Sequence, residues 1–340
     1  MHLTTSSVLP MVMKTVIELD LLEIIAKAGL GKQISPSEIA SHLPTKNPNA
    51  SMMLDRILCL LASYSVVTCS TISHENGEVE RLYGLGPMSR YLVKDEDGVS
   101  MSAAMMIVVN KICMESWYHL KVAVLDGGIP FEKAHGINMF QYQDNDKGFK
   151  QIFQDSMSNY TIMVMKKILQ TYKGFEDLKE LVDVGGNTGS AISMITSKYP
   201  KIKGINFDLP LVIEQAPSYP GVKHVGGNMF TGVPKGENFF MKWVLHNWSD
   251  EHCLTLLKNC YEALPSNGKV IVVEMMAPTS IETDDSAKSF FQLDLIMMVQ
   301  PGHGKERTLK EFETIAKEAG FASIKVVCCA CNNWVMEFTK

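Results

Sequence analysis

The sequence predicts an α/β protein in two parts: a mostly helical N-terminal half, and a C-terminal half built on a doubly wound, mostly parallel sheet. Three observations carry the prediction. Periodicity changes near residue 175, from helical spacing to short apolar runs alternating with amphipathic segments. The run Leu181-Val182-Asp183-Val184 enters the glycine-rich turn Gly185-Gly186-Asn187-Thr188-Gly189, and the amphipathic segment Ser190 to Tyr199 follows. A buried parallel strand hands over in this way to a helix whose N-terminus faces a ligand. Further strand and helix signals then alternate to the end of the chain.

In chain order, Glu18-Leu19-Asp20-Leu21-Leu22-Glu23-Ile24-Ile25 reads as one amphipathic helix that stops at Gly29-Leu30-Gly31. Ser35-Pro36 supplies an N-cap and a first-turn proline, opening a helix to Ser41. Pro44 and Pro48 break the chain, and Ala50 to Tyr64 is a strongly apolar helix. Val66 to Ser70 and Leu82 to Leu85 flank a polar turn containing Asn76-Gly77, a hairpin signal. Helix, helix, hairpin is a winged-helix order. A DNA-binding reading fails on the candidate recognition helix, Met52 to Leu61, which is nearly all apolar with one arginine, Arg56. A groove-reading helix needs a polar and basic outer face; this one suits burial against another subunit. Met101 to Leu125 and Phe149 to Tyr172 are two further helical stretches, separated by Gly127-Gly128-Ile129-Pro130 and a loop to Lys147.

Strands are expected at 180–184, 202–207, 222–225, 238–243, 268–274, 323–329 and 333–338, and helices at 189–198, 250–264, 286–298 and 308–319. Such alternation argues for helices on both faces of a parallel sheet. Seven strands, the last two joined as a hairpin, match the Rossmann-like sheet of S-adenosylmethionine (SAM) methyltransferases.

Composition narrows the function. A net charge of −5 without long like-charge runs argues against a nucleic-acid footprint, and no apolar run reaches the ~18 residues of a membrane span. No signal-peptide pattern occupies Met1 to Lys14, and a cytoplasmic protein is expected. The eight cysteines form no C-x-x-C, and Cys328-Cys329-Ala330-Cys331 is too cramped for zinc spacing. They are expected to be reduced and mostly buried. Of the 22 methionines most are core filler, although Met105, Met106, Met139, Met157, Met297 and Met298 fall where a flat ligand would pack.

The glycine spacing disfavours a dinucleotide. A G-x-G-x-x-G fingerprint from Gly185 requires glycine at Asn187 and Ser190. Asp208, closing the second strand, is placed to hold ribose hydroxyls. A glycine loop with a ribose acid but no pyrophosphate signature suggests SAM; a tight structural turn in an unrelated α/β protein is the other reading. Ligands of such sheets bind outside the carboxyl ends of the strands, which gathers Gly185, Asp208, Asn228, Lys242 and Glu274 around one crevice. His246, just past a strand end between Trp243 and Trp248, is a candidate general base. Its ordinary pKa of about 6.5 suits proton removal from a phenol of about 10. Glu274, ending a strand, and Glu306, just before a helix, fall on the same rim; a carboxylate on one imidazole nitrogen would leave the other as base. Helix capping is the other role for Glu306, although Thr308 is the better cap. Methyl transfer from a sulfonium needs alignment, a base and exclusion of water, so no metal is expected.

The stretches LVDVGGNTG, GINFDLP, APSYPGVKHVGGNMF, MKWVLHNWSDEHC, NCYEALPSNGKVIVVE and GKERTLKEFETIAKEAGF together resemble the plant phenolic O-methyltransferases of the caffeic acid type, over essentially the whole chain. The resemblance implies SAM contacts at Gly185, Asp208, Leu209, Asn228, Met229, Phe230 and Lys242. It implies His246 as catalytic base bracketed by Glu274 and Glu306. Two departures stand out: the family's GGDMF acid is Asn228, and its His-Asp pair is His246-Asn247. The first half resembles the family's winged-helix dimerisation domain, implying a homodimer. The resemblance implies a start inside the family's N-terminal segment. A division into 1–157, for dimerisation and part of the acceptor pocket, and 158–340, for SAM chemistry, follows.

The resemblance places the acceptor pocket at Val108, Cys113, Met139, Gln143, Phe149, Phe153, Met157, Ile296, Met297 and Pro301. Phe149, Phe153, Met157, Ile296 and Met297 keep the expected clamp. Met139 replaces a small residue, Gln143 a histidine, Pro301 and Val108 asparagines, and Cys113 a leucine. Lost polar contacts imply weaker selection for a propenoid tail and a hydroxylated coumarin or furanocoumarin as favoured acceptor. The alternative is caffeate, 5-hydroxyferulate or the corresponding aldehydes. A non-catalytic SAM-binding scaffold would be expected to have lost His246 or its acids, and all three are present.

Overall fold

The computed structural model describes residues 2–340 except Asn76 and His303. The Asn76 half of the predicted hairpin turn therefore lies outside the described residues. The chain divides into two compact units, Met1–Met114 with Asp146–Tyr160, and Glu115–Asn145 with Thr161–Lys340.

The first unit carries helices α1 (Val8–Glu18), α2 (Leu21–Lys27), α3 (Pro36–Ser41) and α4 (Ala50–Ser63), then strands β1 (Val67–Ser73) and β2 (Val79–Leu85) and helix α5 (Ser102–Val108). Ser35 caps α3 with its hydroxyl, accepting from the Glu38 N–H, and Pro36 sits in the first turn as expected. β1 and β2 form an antiparallel ribbon, and Ile34 bridges to Tyr83 on its edge. Helix, helix, ribbon is thus the observed order. Leu54, Leu58 and Leu61 of α4 pack with Ile25, Ile39 and Tyr83 in this unit's own core. Its outer face keeps Met52 and Met53 exposed.

The expected single helix over residues 18–25 is instead broken. α1 ends at Glu18 and α2 begins at Leu21, because Asp20 adopts a left-handed conformation (φ 52°). Short polar side chains tolerate that region better than most. The stretch Met101 to Leu125 is likewise three helices: α5, α6 (Lys111–Trp117) and α7 (Leu120–Asp126). At the first break the Asn110 carbonyl oxygen of the side chain accepts the Ile112 N–H, a local bond that competes with continuing the helix. The predicted loop to Lys147 holds two more helices, α8 (Pro130–His135) and α9 (Met139–Asn145). Pro130 opens the first, and Asn138 accepts the Gln141 N–H at the start of the second. Helix α10 follows over Lys147–Thr171. Cys113, Cys253 and Cys260 are buried, but Cys69, Cys329 and Cys331 are exposed, so the expectation of mostly buried thiols fails; all eight are unpaired.

The second unit is organised by a seven-stranded sheet: β3 (Glu180–Val184), β4 (Lys203–Asp208), β5 (Val222–Gly226), β6 (Phe239–Lys242) and β7 (Lys269–Glu274), joined by the two C-terminal strands Ser323–Ala330 and Asn333–Thr339. Reading across the sheet, the order is Ser323–Ala330, Asn333–Thr339, β7, β6, β3, β4, β5. Strands β3 to β7 pair in parallel and the C-terminal hairpin joins β7 antiparallel. Val182, Val184, Phe239, Met241, Val270 and Val272 pack on one face with helices at Asp250–Ala263 and Leu309–Glu318. At about 1.5–3 kcal/mol for each fully buried large apolar side chain, this packing holds the strand ends that carry the site. The chain runs β3, β4, β5 in one direction and then crosses back to β6 and β7. The reversal point lies between β3 and β6, where open α/β sheets bind ligands.

Candidate active site

The turn after β3 alternates into left-handed conformations at Gly185 (φ 69°), Asn187 (φ 52°) and Gly189 (φ 88°) and opens helix α11 (Ser190–Lys198). Gly186 is needed for a different reason. A Cβ there would lie 2.2 Å from Asn206 Oδ1 and 2.7 Å from Asp183 Oδ2. Both of those oxygens are buried and have no hydrogen-bond partner among the described residues. They leave acceptors beside the loop for a ligand bearing N–H donors or positive charge.

Asp208 ends β4 and reaches back to this turn. Its Oδ2 accepts the Asn187 N–H at 2.7 Å and its Oδ1 accepts the Leu209 N–H at 2.7 Å. Burial raises its pKa, with those two N–H bonds pulling the other way. Each oxygen keeps a lone pair for a hydroxyl. Leu209 is half exposed beside it. Asn228 uses its Oδ1 to accept the Phe230 N–H at 2.9 Å, and the Phe230 ring meets Trp248 edge-on at 4.7 Å. Met229 and Phe230 pack partly buried against the sheet core. Lys242 ends β6 with Nζ 3.2 Å above the Trp243 ring. Burial pushes Lys242 down to about 7, against the pull of Asp183 and Glu274, and pushes Asp183 up to about 7.

His246 lies in the single turn Leu245–Asn247 after β6. Its Nδ1 is 2.8 Å from Glu306 Oε1 and 3.8 Å from Glu274 Oε2. The two acids and the base, 60 residues apart at the extremes of this set, thus converge as expected from the sheet. Glu274 Oε1 accepts the N–H groups of Val244 and Leu245 at 2.9 and 2.7 Å, so it also fixes the turn that presents the imidazole. A proton on Nδ1 donated to Glu306 leaves the Nε2 lone pair as the basic position. Burial alone would lower the His246 pKa, but the carboxylates of Glu274 and Glu306 outweigh it and the net shift is upward. A general base at His246 would work only when neutral. Activity should therefore fall as pH drops through a value above the ordinary 6.5. In the Glu306→Gln enzyme one raising carboxylate is gone, and the acid limb of kcat/KM moves to lower pH. A limb that stays in place on this substitution contradicts the pairing.

Several supports were not anticipated from the sequence. Arg307 is almost fully buried. Its guanidinium donates Nη1 to the Leu245 carbonyl at 2.7 Å, Nη2 to the Trp248 carbonyl at 2.6 Å, and Nε to Asp250 at 2.9 Å. It clamps both sides of the turn that carries His246. The Lys305 N–H adds a bond to the His246 carbonyl at 3.0 Å, and the Glu306 N–H is held by Asp294 at 3.0 Å. Trp243 holds a left-handed φ of 56°, rare for so bulky a residue. It is kept there by its N–H to Val273, its indole N–H to Asn333, and its carbonyl accepting from Asn247. Asn247, where a family acid was expected, is thus a bracket for this turn. Thr308 forms a capping box with Glu311, worth about 1 kcal/mol, which leaves the Glu306 carboxylate for His246.

His246, Glu274 and Glu306 each offer a donor atom within 4.8 Å of the others, close enough to share a metal ion. The 2.8 Å separation of Nδ1 and Oε1 is that of a hydrogen bond, and proton removal accounts for the arrangement without a metal. Turnover should be unchanged after dialysis against a chelator; loss restored by a divalent cation would reassign the cluster.

The residues expected to line the acceptor pocket fall in both units. Val108, Cys113, Phe149, Phe153 and Met157 belong to the first, and Met139, Gln143, Ile296, Met297 and Pro301 to the second. Cys113, Phe149, Met139, Gln143 and Pro301 are buried, whereas Val108 is more than a third exposed. Burial pushes the Cys113 thiol up to about 12, an inert rather than nucleophilic form. Gln143 Nε2 is buried without a hydrogen-bond partner among the described residues.

The sheet order and the glycine turn at its reversal point are those of a SAM-methyltransferase fold. Residues 117–322 match the O-methyltransferase domain family and residues 1–95 the O-methyltransferase dimerisation domain. The chain belongs to the O-methyltransferase family, is a SAM-dependent O-methyltransferase, and assembles as a homodimer. It is 59% identical to a caffeic acid 3-O-methyltransferase of Medicago sativa over 340 residues, covering 100% of this chain and 93% of that relative. It is 57% identical to the caffeic acid 3-O-methyltransferase of Catharanthus roseus, covering 100% of this chain and 94% of that one. Among solved structures, human N-acetylserotonin methyltransferase in complex with SAM shares the fold with a TM-score of 0.83 at 18% identity, covering 100% of this chain and 96% of that one. No helix among the described residues is long and apolar enough to cross a membrane.

Proposed function

We propose that this O-methyltransferase methylates a phenolic hydroxyl of a caffeate-class acceptor, with His246 as general base. The observation that carries the base assignment is the 2.8 Å contact between His246 Nδ1 and Glu306 Oε1 at the carboxyl end of the sheet. In this reading the Gly185–Gly189 turn and the N-terminus of α11 hold the cofactor, with Asp208 on its ribose hydroxyls. Leu209, Asn228, Met229 and Phe230 surround its adenine, and Lys242 lies beneath the site. The buried acceptors Asp183 Oδ2 and Asn206 Oδ1, and the room that only glycine leaves at position 186, suit such a ligand. When bound, SAM supplies an electrophilic methyl on its sulfonium. His246 Nε2 takes the acceptor's hydroxyl proton, Glu306 and Glu274 stabilise the imidazolium that results, and the phenolate oxygen becomes the nucleophile. Residues 1–157 serve dimerisation and part of the acceptor pocket, and residues 158–340 the cofactor chemistry.

The acceptor reading shifts from the hydroxylated coumarin expected from the pocket substitutions to the caffeate alternative. The similarity to caffeic acid 3-O-methyltransferases at 59% identity favours it. The partnerless Gln143 Nε2 is a donor that a propenoid carbonyl could accept from. The test compares kcat/KM for caffeate, 5-hydroxyferulate, their aldehydes and hydroxycoumarins under one set of conditions. The expected result is preference for a member of the first group; a hydroxycoumarin turned over faster than all of them overturns the acceptor assignment.

A further inference from the structure

The cofactor turn is held from below by Asn206 and His224; of the two, only the Asn206 oxygen has a role above, as a ligand acceptor. Asn187 is the non-glycine residue of that turn in a left-handed conformation. Both of its backbone polar groups are tied: its N–H to Asp208 Oδ2, and its carbonyl to the Asn206 side-chain amide, which donates Nδ2 at 2.8 Å. Asn206 is fully buried on β4. The same Nδ2 lies 3.1 Å from His224 Nδ1, and His224 Nε2 lies 2.9 Å from the Pro217 carbonyl. A carbonyl can only accept, so the proton resides on Nε2, and Nδ1 is left as the acceptor for Asn206. That chain of bonds fixes which way the Asn206 amide points, with its NH2 toward the turn and its oxygen toward Gly186. The packing is close as well: a Cβ on Gly189 would lie 3.2 Å from His224 Cε1 and 3.3 Å from Asn206 Nδ2.

We propose that His224 and Asn206 form a positioning pair for the cofactor site: His224, through its unprotonated Nδ1, orients the Asn206 amide, which locks Asn187 and with it the turn that receives SAM. The inference rests on the assignment of that turn as the cofactor site. Neither residue contributes to proton transfer, so the pair acts on SAM affinity and not on the chemical step. A flipped or free Asn206 amide would present its oxygen to the Asn187 carbonyl, and the turn would lose its fixed geometry.

The test separates the acceptor at Nδ1 from the bulk of the ring. Asparagine at 224 can place an oxygen near the position of Nδ1, whereas leucine fills the space with no acceptor. SAM dissociation constants by calorimetry, kcat at saturating SAM, and melting temperature would be measured for His224→Asn, His224→Leu, Asn206→Ala and Asp208→Ala. Loss of one hydrogen bond of this kind weakens SAM binding about three- to tenfold. His224→Leu should show that loss with kcat at saturation unchanged, and Asn206→Ala at least as large a loss of SAM affinity, while His224→Asn binds SAM like the wild type. SAM binding that is equally tight in His224→Leu overturns the proposal, as does equal weakening in His224→Asn and His224→Leu, which would reduce the ring to packing. Asp208→Ala distinguishes the two levels. If it too leaves SAM binding intact, the cofactor-site assignment itself fails; if it alone weakens binding, only the positioning pair fails.

Discussion

The His246→Ala enzyme loses about two to four orders of magnitude in kcat, the span a positioned general base supplies, while its affinity for SAM stays at the wild-type value. The split follows from the geometry. The imidazole is anchored by Glu306 at 2.8 Å and presented by a turn whose N–H groups sit on Glu274. No hydrogen bond among the described residues joins the His246 imidazole to the Gly185–Gly189 turn or to Asp208, where the cofactor is proposed to bind. A phenol with a pKa of about 10 is almost wholly protonated at neutral pH, so without the base only a small fraction of bound acceptor presents a phenolate. Steady-state kinetics with SAM titration measures both quantities. Retention of wild-type kcat would mean that solvent, or another group, takes the proton.

The second large effect concerns Arg307, which touches no reacting atom in this account. Arg307→Met should destabilise the protein by about 1–3 kcal/mol, because the carbonyls of Leu245 and Trp248 each lose a guanidinium donor at about 0.5–1.5 kcal/mol, while the Trp248 N–H still donates to Leu245 and the Cys253 thiol to both. The half-exposed partner Asp250 is left out of that sum, since solvent screens it. Arg307→Lys should recover little. An ammonium is a point donor and cannot span both carbonyls as the planar guanidinium does. The same loosening frees the turn around His246, so kcat falls at temperatures where the variant is still folded. Denaturant midpoints with kcat measured on the folded fraction check both parts. A variant of wild-type stability would show that the carbonyls find other donors, and one destabilised with full kcat would show that the clamp does not position His246.

The C-terminal half was largely legible because its inner strands are buried on both faces. Runs such as Leu181-Val182-Asp183-Val184 and Val270-Ile271-Val272-Val273 have no polar alternation to confuse with helix, and the observed bounds lie within a residue or so of those expected. Strand order then placed His246, Glu274 and Glu306 on one rim, although no spacing rule links positions 246 and 306. The helical half was harder. A left-handed Asp20 and the Asn110 side-chain bond interrupt patterns that are continuous in hydrophobicity. The start signals at Pro130 and Asn138 were present in the sequence but passed over inside a presumed loop. Arg307 had no local signature, since one arginine after a glutamate is ordinarily solvated; its role depends on carbonyls some 60 residues away. Asn206 reads as a polar interruption in a strand until His224, directly opposite it on the next strand, is seen to orient it.

The most direct test of the central claim is methyl transfer itself. The enzyme would be incubated with SAM carrying a carbon-13 methyl group and with caffeate at neutral pH, and the product examined by NMR. An O-methyl resonance on a ring oxygen is expected, accumulating over many turnovers with wild type and nearly absent with His246→Ala. Tight SAM binding with no transfer to caffeate, 5-hydroxyferulate, their aldehydes or any hydroxycoumarin would contradict it and leave a SAM-binding scaffold instead of a phenol methyltransferase.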